Sequence, residues 1–437
     1  MNKLVELEKE QFEDFMKDNP KSHFLQSYYW GEFSKEKKNL NPYYMGLVDD
    51  KKKVKAACLL LEKKLPLGYS YFYSPRGFVI DYNDFELFDE MTKKVISFVK
   101  TKKAIFLKID PDIIRKSYNY NNEEIKLDNN ASEIFKNIIN CGFKHLGFTK
   151  NFETMQPRYT FRIDMNNSFD DIYNHFSKTT KQRIQKAKNL ETEVEIGTID
   201  DIDTFYNLMM LTENRKDFVS YSKDYYKTQY EILSKNNMVK LFLGKVNTEK
   251  IINNLENANK EIDAKIKEFG TDTSSLSKSS KNKLKELEKS FDKNEKEIEK
   301  YKDAQDKYGK IITLNAHMII FYQDKAWVLY AGNHNVLTES YANYNTYFEH
   351  IKYAYEHGVK IYDQFGTIGD LRKDNPRMGL HEFKKKFGGD YVEFLGEFDY
   401  ITNHFMYFVF TKLVPFYRKL VRKRSKKEIN NEVNRNK

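Results

Sequence analysis

The pattern of apolar and polar residues predicts alternating strands and helices in the first third of the chain. Short apolar runs at residues 56–61, 69–73 and 104–109 are typical of strands, whereas residues 85–100 repeat their apolar positions at helical spacing. Because strands and helices are interspersed, the pattern indicates α/β or α+β structure in a first domain of residues 1–150.

A second mixed region follows, and a long insertion interrupts it. Residues 151–246 contain strand-like and helix-like segments, and the same mixture returns at residues 311–400. We therefore predict a second α/β domain built from both stretches. Its predicted strands are 159–163, 239–246, 313–321, 326–330 and 360–363, and its predicted helices are 205–214 and 341–357.

The insertion, residues 247–310, has the pattern of a coiled coil. Charged residues dominate it, and the apolar residues follow heptad spacing on both sides of a polar, turn-like stretch at 270–283. Its charge density would also suit a disordered linker, but two matched heptad arms favour an antiparallel coiled-coil helical arm. The heptad positions are Ile251, Leu255, Ala258, Ile262, Ile266 and Phe269, then Leu284, Leu287, Phe291, Ile298 and Tyr301.

Residues 401–437 form a tail in which aromatic and basic residues are interleaved. From residue 409 to the end, ten Lys or Arg stand against two Glu. An interfacial helix on anionic lipid and a solvated tail after a packed helix both fit this pattern, and the sequence leaves both open. The apolar members are Phe405, Met406, Tyr407, Phe408, Phe410, Leu413, Val414, Phe416, Tyr417, Leu420 and Val421.

The composition indicates a large, folded and mildly basic protein. With 437 residues, 40% of them hydrophobic and 15% aromatic, the chain can form sizeable cores, and two or more packed units are expected. The formal net charge of +10 suits polyanionic partners such as tRNA, phosphate-bearing substrates or an anionic membrane surface, without selecting one of them.

The sequence lacks the signals of export and of several catalytic classes. Neither a signal-peptide core nor a run of about 18 apolar residues occurs, so we expect a cytoplasmic protein. Cys58 and Cys141 have no CxxC spacing, and the nine histidines lack the short spacings of metal ligands, so we expect no metal site. The absence of P-loop, HExxH and GxSxG motifs disfavours kinase, metalloprotease and hydrolase functions.

Two basic segments allow both a structural and a functional interpretation. Arg76 lies in SPRGF after an aromatic strand, where it either faces a substrate phosphate or carboxylate or belongs to a buried strand that ends in a turn. The amphipathic segment KTTKQRIQKAKN, residues 178–189, either grips phosphate oxygens or presents a charged face to solvent. For this segment the solvated face is favoured.

Eight short stretches, spread over most of the chain, carry the pattern of a known family. They are QSYYWGEF (26–33), KIDPD (108–112), RYTFRID (158–164), KTTKQRIQKAKN (178–189), LMMLTENRKDF (208–218), WVLYAGN (327–333), YDQFGTIGD (362–370) and GLHEFKKKFGGDYVEFLGEFDY (379–400). Together they resemble the Fem family of non-ribosomal peptidyltransferases, which build the interpeptide bridges of peptidoglycan. The heptad insertion is similar to the helical arm of family members that use aminoacyl-tRNA.

The resemblance implies two acetyltransferase-like (GNAT) α/β domains, together with an arm that helps to dock tRNA. Ordinary acetyltransferases bind acetyl-CoA through a Q/RxxGxG/A turn, and the sequence has no such turn. We therefore expect no CoA cofactor.

The resemblance also implies the catalytic residues. In the family pattern FK-x-x-F the lysine lies beside the tetrahedral intermediate, which corresponds here to Phe383 and Lys384, although Lys385 and Lys386 look the same in sequence. Transfer from an activated ester to an amine needs an oxyanion stabiliser and a route for one proton. Asp110 of KIDPD is the candidate proton acceptor, with a helix cap or turn brace as its alternative role.

Further family positions imply contacts to the substrate. The T-x-x-R helix corresponds to Thr212 and Arg215, which are expected to meet phosphates of the muramyl-peptide carrier. A lysine shortly after the WG motif has the same expected role, but the sequence has Ser34 there and Lys35 one step later, so the role is carried over to Lys35. Asp363 of YDQFG is a further candidate, as a substrate contact, a proton acceptor or a turn brace.

These expectations combine into one predicted function. The chain is expected to transfer an amino acid from aminoacyl-tRNA to the stem peptide of lipid II, or of the soluble UDP-MurNAc-pentapeptide, and the basic tail favours lipid II at the inner face of the membrane. Association with itself or with related transferases is part of this expectation. The rival functions are a CoA-dependent N-acyltransferase on the same fold and a scaffold that binds tRNA or membrane.

Overall fold

The computed structural model describes residues 2–17, 19–127, 129–216, 219–270 and 276–415, with the backbone alone at 214–216. The strands are β1 Lys3–Glu6, β2 Asn41–Val48, β3 Val54–Lys64, β4 Ser70–Ser74, β5 Ala104–Ile109, β6 Ile114–Tyr118, β7 Glu124–Ile125, β8 Lys144–His145, β9 Tyr159–Asp164, β10 Glu193–Gly197, β11 Val239–Asn247, β12 Ile311–Tyr322, β13 Lys325–Asn333, β14 Ile361–Asp363, β15 Asp390–Phe394 and β16 Phe398–Ile401. The helices are α1 Lys9–Met16, α2 Tyr28–Lys38, α3 Phe85–Thr101, α4 Ala131–Asn140, α5 Phe169–Asn174, α6 Lys178–Asn189, α7 Ile202–Lys216, α8 Lys223–Ser234, α9 Thr248–Lys267, α10 Lys278–Tyr308, α11 Ala342–Glu356, α12 Met378–Lys385 and α13 His404–Phe408. The mixed α/β class predicted from the sequence is confirmed.

The described residues form two compact units. The first contains the chain up to Phe161, Gly366–His381 and the residues from Asp390 onward, and the second contains Arg162–Phe365 and Glu382–Gly389. This division differs from the predicted domains, which ended the first domain at residue 150 and gave residues 366–381 and 390–400 to the second. The last strands return to the first unit because β15 pairs with β6 and β16 pairs with β5.

A seven-stranded sheet organises the first unit. Its strand order is β1-β2-β3-β4-β5-β16-β8, and β4 and β5 run parallel with α3 between them in the chain. The Asp84 side chain caps α3 by accepting a hydrogen bond from the Leu87 amide, 3.0 Å away. Helix α3 then buries one apolar face in the core, and its members include Phe88, Met91, Val95 and Val99.

The second unit contains the strand order β10-β11-β12-β13-β14, followed by residues 162–164 of β9. All of these neighbours are antiparallel except β13 and β14, which are parallel and are connected by α11. Helix α11 is apolar on the face that enters the core, where Phe348, Ile351 and Ala354 pack with Ile319 and Val328. These positions are three residues apart, which is a helical spacing, and the sequence predicted a helix here.

Two long helices, α9 and α10, occupy the insertion between β11 and β12. They lie side by side in opposite directions: the Asn259 amide donates to Glu295 (2.7 Å), and Lys302 pairs with Glu256 (2.8 Å). The polar stretch predicted as a turn at 270–283 is shorter in the structure, because α10 already begins at Lys278. The N-terminal cap of α10 explains this early start, since the Ser277 hydroxyl accepts a hydrogen bond from the Ser280 amide at 3.1 Å.

The base of this helix pair belongs to the core of the second unit. Its buried members, including Ile251, Ile298 and Tyr301, pack with Ile312 and Leu314 of β12. Strands β11 and β12 are paired up to the point of insertion, where Asn247 lies opposite Ile311. The pairing thus continues to the point of insertion, with one register shift between Gly244 and Lys245.

After β16 the chain forms α13 and a π-helical turn, Val409–Leu413. Tyr407 and Phe410 pack on Phe106 of the sheet, whereas Phe405 and Phe408 are exposed. Residues 416–437, with most of the basic tail, lie outside the described residues. Within the described part of the chain, no helix combines the length and hydrophobicity needed to cross a bilayer, and no group of three or more His, Cys, Asp or Glu is placed to hold a metal ion.

Candidate active site

The second unit holds a buried lysine in a cradle of backbone carbonyls. Lys384, on α12, is 6% exposed, and its ammonium donates hydrogen bonds to the carbonyl oxygens of Gln364 (2.6 Å) and Phe365. Both carbonyls belong to the turn that follows β14, in which Phe365 has a φ of 47°. This left-handed residue reverses the chain so that two successive carbonyls face the same ammonium.

Burial sets the charge state of this lysine. Removal from water lowers the pKa of Lys384 to about 7, and the nearby carboxylate of Asp363 opposes that shift. Near neutral pH, the group therefore exists in both the charged and the neutral form.

Asp363 braces the turn on which the cradle depends. Its carboxylate accepts hydrogen bonds from Arg162 Nε (2.9 Å), its partner across the strand pair, and from the Phe365 amide (2.8 Å). The side chain is 3% exposed. Of the roles considered for Asp363, the turn brace is the one that matches these contacts.

Aromatic packing and backbone hydrogen bonds hold the end of α12 in place. The Phe383 ring lies 5.2 Å from Tyr344 and 5.0 Å from Tyr347. The Lys386 carbonyl accepts the Ser177 amide hydrogen at 2.9 Å, and the Gly388 carbonyl accepts from Gln364 Nε2 at 3.2 Å. Lys385 and Lys386 are half-buried, so the structure separates Lys384 from its two neighbours by burial.

The first unit contains a buried carboxyl group at Asp110, directly after β5. It is 2% exposed and accepts hydrogen bonds from the Arg76 amide (2.7 Å) and the Tyr73 hydroxyl (3.0 Å). Burial raises the pKa of Asp110 to about 7, although the Arg76 charge and these hydrogen bonds act in the opposite direction. A carboxyl group that titrates near neutrality can accept and return a proton at physiological pH.

Arg76 is an internal residue and matches the buried-turn interpretation. It has a φ of 54°, is 5% exposed, and donates from Nη2 to the Pro157 carbonyl at 2.7 Å. Its guanidinium carbon lies 4.4 Å from the centre of the Phe394 ring. Arg76 thus positions Asp110 through its backbone amide and its charge, and its contact to a substrate phosphate or carboxylate stays a prediction.

The remaining predicted substrate residues are on α7 and α2. The Thr212 hydroxyl donates to the Leu208 carbonyl (2.8 Å) and accepts from the Asn333 amide (2.8 Å), which ties α7 to the end of β13. Arg215 lies in α7, with its side chain outside the described residues. Lys35 is exposed on α2.

Lys38 is a residue that the sequence reasoning missed. It follows Ser34 by four residues on α2 and therefore lies on the same face of the helix. Its Nζ atom is 4.3 Å from the Trp30 ring and 5.4 Å from the Phe33 ring, and burial lowers the pKa of Lys38 to about 8. The four-residue spacing after the position where the family has lysine was the signal that could have identified it.

A buried histidine pair was also missed. His317 Nδ1 lies 3.2 Å from His350 Nε2, and His350 Nδ1 lies 2.5 Å from the Tyr362 hydroxyl, all within the apolar core of the second unit. Burial lowers the pKa of His317 to about 4 and holds the pKa of His350 well below its ordinary value. The two histidines are 33 residues apart, so no local spacing in the sequence indicates their contact.

Comparison with known proteins gives consistent similarities over nearly the whole chain. A model of the FemAB family matches residues 7–414. The chain is 28% identical over 412 residues to a lipid II:glycine glycyltransferase of Staphylococcus epidermidis, which covers 93% of this chain and 94% of the relative. A protein of the same name from Staphylococcus aureus is 28% identical over 409 residues, covering 92% and 93%. Among solved structures, a crystal structure of FemX superposes with a TM-score of 0.75 and 27% identity, covering 93% of this chain and 98% of that one.

Proposed function

This chain belongs to the FemAB family, and from that membership we propose that it is an aminoacyltransferase that adds an amino acid to the stem peptide of a peptidoglycan precursor. The donor is aminoacyl-tRNA, and the acceptor is lipid II in preference to soluble UDP-MurNAc-pentapeptide. The printed name of the relatives, lipid II:glycine glycyltransferase, supports this acceptor. The basic tail supports it as well, because it suits a peripheral position at the inner face of the membrane.

The carbonyl cradle around Lys384 is the observation that carries the proposal. Attack of a neutral amine on the aminoacyl ester forms a C–N bond and places negative charge on the carbonyl oxygen. A buried ammonium held by two carbonyls is already oriented, and in a medium of low dielectric constant it stabilises that charge more strongly than water would. Lys384 is therefore the proposed oxyanion stabiliser, with Phe383 as its packed support.

Collapse of the intermediate breaks the ester C–O bond, and the 3′ oxygen of the tRNA ribose leaves with a proton. The attacking amine loses a proton in the same sequence, and Asp110 is the proposed acceptor. Its pKa of about 7 suits this role, because the group is partly ionised before the reaction and can return the proton afterwards.

The proposed phosphate contacts follow the family pattern with one substitution. Thr212 fixes α7 against β13 and so supports Arg215, which is the proposed phosphate ligand on that helix. On α2, Lys38 is the proposed ligand in place of the exposed Lys35, because its packing against Trp30 orients it.

The finer architecture is part of the same proposal. In each unit, antiparallel strands lead to a parallel pair joined through a helix, β4–α3–β5 and β13–α11–β14, and this order supports an acetyltransferase-like (GNAT) domain. Helices α9 and α10 are proposed to pack as a coiled-coil arm that docks tRNA. Association with itself or with related transferases is proposed for the intact cell.

The test is transfer of radiolabelled amino acids from a pool of charged tRNA to lipid II and, in parallel, to UDP-MurNAc-pentapeptide. Label on lipid II supports the proposal, and label on the soluble precursor alone would change the acceptor. Label on neither acceptor, with every amino acid tested, would overturn the reaction. Protection of the protein by acyl-CoA would then favour the CoA-dependent function, and retention of tRNA affinity without turnover would favour a scaffold.

A further inference from the structure

Helix α6 carries an unusual concentration of positive charge in the second unit. Its twelve residues include five cations and no carboxylate: Lys178, Lys181, Arg183, Lys186 and Lys188. Among the described residues, none of these five lies within ion-pair distance of an Asp or Glu side chain, whereas cations of α10 pair with Glu256 and Glu339. The charge of Glu349 acts on Lys188 from beyond ion-pair distance, and the other four cations of α6 form no ion pair within that part of the protein.

Two tyrosines lie directly against these cations. The Arg183 guanidinium carbon is 5.3 Å from the Tyr341 ring and 4.9 Å from the Tyr344 ring, and the guanidinium donates a hydrogen bond to the Tyr344 hydroxyl. Lys186 Nζ is 5.2 Å from the Tyr341 ring. All four side chains are half-buried, so each keeps part of its surface open to solvent.

The cluster is continuous with the lysine cradle. Tyr344 packs on Phe383 at 5.2 Å and on Phe387 at 5.8 Å, and Phe383 directly precedes Lys384. The amide of Ser177, the residue that caps α6, donates to the carbonyl of Lys386. One aromatic ring therefore separates the basic face of α6 from the residue next to Lys384.

Packing alone explains part of this helix. Ile184 and Ala187 are buried, and they suffice to hold an amphipathic helix on the unit. Burial of these residues requires neither five cations that form no ion pair nor tyrosine rings placed against two of them. Cations that face phosphates, next to aromatic rings on which bases stack, are the combination that binds single-stranded nucleic acid.

We propose that the face of α6 formed by Lys178, Arg183 and Lys186, together with Tyr341 and Tyr344, binds the single-stranded 3′ end of the donor tRNA. The proposal rests on the aminoacyltransferase function proposed above, because that function brings an ester-bearing 3′ end to Lys384. The cations contact phosphates of the last nucleotides, and Tyr341 provides a ring for base stacking.

The first test measures tRNA affinity of the full-length protein as a function of salt concentration. In the double variant Lys178→Gln/Lys186→Gln, the slope of log K against log salt should become shallower by about 1.4, because each phosphate contact to a single strand contributes about 0.7. The matched control, Lys51→Gln/Lys53→Gln, removes the same charge from exposed residues of the first unit and should leave the slope unchanged. Equal slopes for wild type and the α6 variant would overturn the proposal.

The second test monitors stacking and the choice of ligand. A tRNA carrying 2-aminopurine near its 3′ end should lose fluorescence on binding to wild type and lose much less on binding to Tyr341→Leu. If the α6 variant instead raises the KM for lipid II and leaves tRNA affinity intact, the face binds the acceptor's pyrophosphate and the proposal is wrong. Because tRNA binding is measured without turnover, failure of the transfer reaction in wild type is distinguishable from failure of this inference.

Discussion

Replacing Lys384 by methionine tests the core of the mechanism. Methionine keeps the length and apolar stem of the side chain but removes the charge, so the stabilisation of the oxyanion should be lost. Loss of one such donor typically lowers kcat by about 10²- to 10³-fold. The carbonyls of Gln364 and Phe365 would lose a donor as well, at a stability cost of about 1–3 kcal/mol, which thermal unfolding measures separately.

The pH dependence follows from the same residue. With a pKa of about 7, Lys384 is half charged at pH 7 and about one-tenth charged at pH 8. The neutral fraction of an alkyl amine acceptor rises tenfold per pH unit over this range. Asp110, with a pKa of about 7, must also be ionised to accept the proton, which adds a slope of one below pH 7. In wild type, log kcat should therefore rise with a slope of about two below pH 7 and level off above it, where the effects of the amine and of Lys384 cancel. In Lys384→Met the slope should be about two below pH 7 and about one above it.

The assay is the initial rate of label transfer to the acceptor between pH 6 and 8.5, with saturating substrates. Lys385→Met is the matched control. It removes the same charge from the residue next to Lys384, and the Lys385 side chain is only half-buried. A Lys384→Met enzyme that transfers within twofold of wild type, or a variant profile that levels off above pH 7 as in wild type, would refute the reasoning.

Three further predictions concern other buried groups. Asp110→Asn should lower transfer by about 10²- to 10⁴-fold with tRNA affinity retained, and an unchanged rate would remove Asp110 as proton acceptor. The pKa of His317 in the folded protein is lowered to about 4, so between pH 6.5 and 4 the unfolded chain binds more protons than the folded one. The free energy of unfolding should therefore fall by up to about 3 kcal/mol as the pH drops from 6.5 to 4. Urea unfolding should show a smaller pH dependence in His317→Gln, and an equal dependence would contradict this assignment. Asn259 is a polar residue between α9 and α10 and is 4% exposed. Asn259→Leu should raise the Tm, because a buried polar residue in a helix pair lowers stability. A lower Tm would show that the hydrogen bonds of Asn259 to Glu295 and Asn294 are net stabilising.

Local elements could be predicted from the sequence where capping and periodicity agree. Helix α6 spans the residues expected for it, because Ser177 caps its start and Ile184 and Ala187 recur on its buried face. Strand β5 also has its expected bounds, since a short apolar run permits little else. The start of α10 was misjudged, because residues 278–283 are polar on every face and carry no apolar period.

Features that depend on distant contacts could not be predicted in this way. Pairing of β16 with β5 joins residues almost 300 positions apart, and nothing in either strand specifies the other. Lys384 was selected through the family resemblance, because three successive lysines look identical until the helix places one of them towards the Gln364 and Phe365 carbonyls. The contact of His317 with His350 likewise arises from the packing of α11 on β12.

The insertion of α9 and α10 between two paired strands has a consequence for how the chain folds. Strands β11 and β12 would form a local hairpin if a two-residue turn joined them, but 63 residues, from Thr248 to Lys310, separate Asn247 from its partner Ile311. Closing a flexible loop of that length costs about 3 kcal/mol more than closing a two-residue turn. If α9 and α10 pair first, they bring Asn247 and Ile311 together and remove most of that entropic barrier. The helix pair would then act as a folding nucleus for the sheet on which it stands, and variants that weaken it should slow refolding.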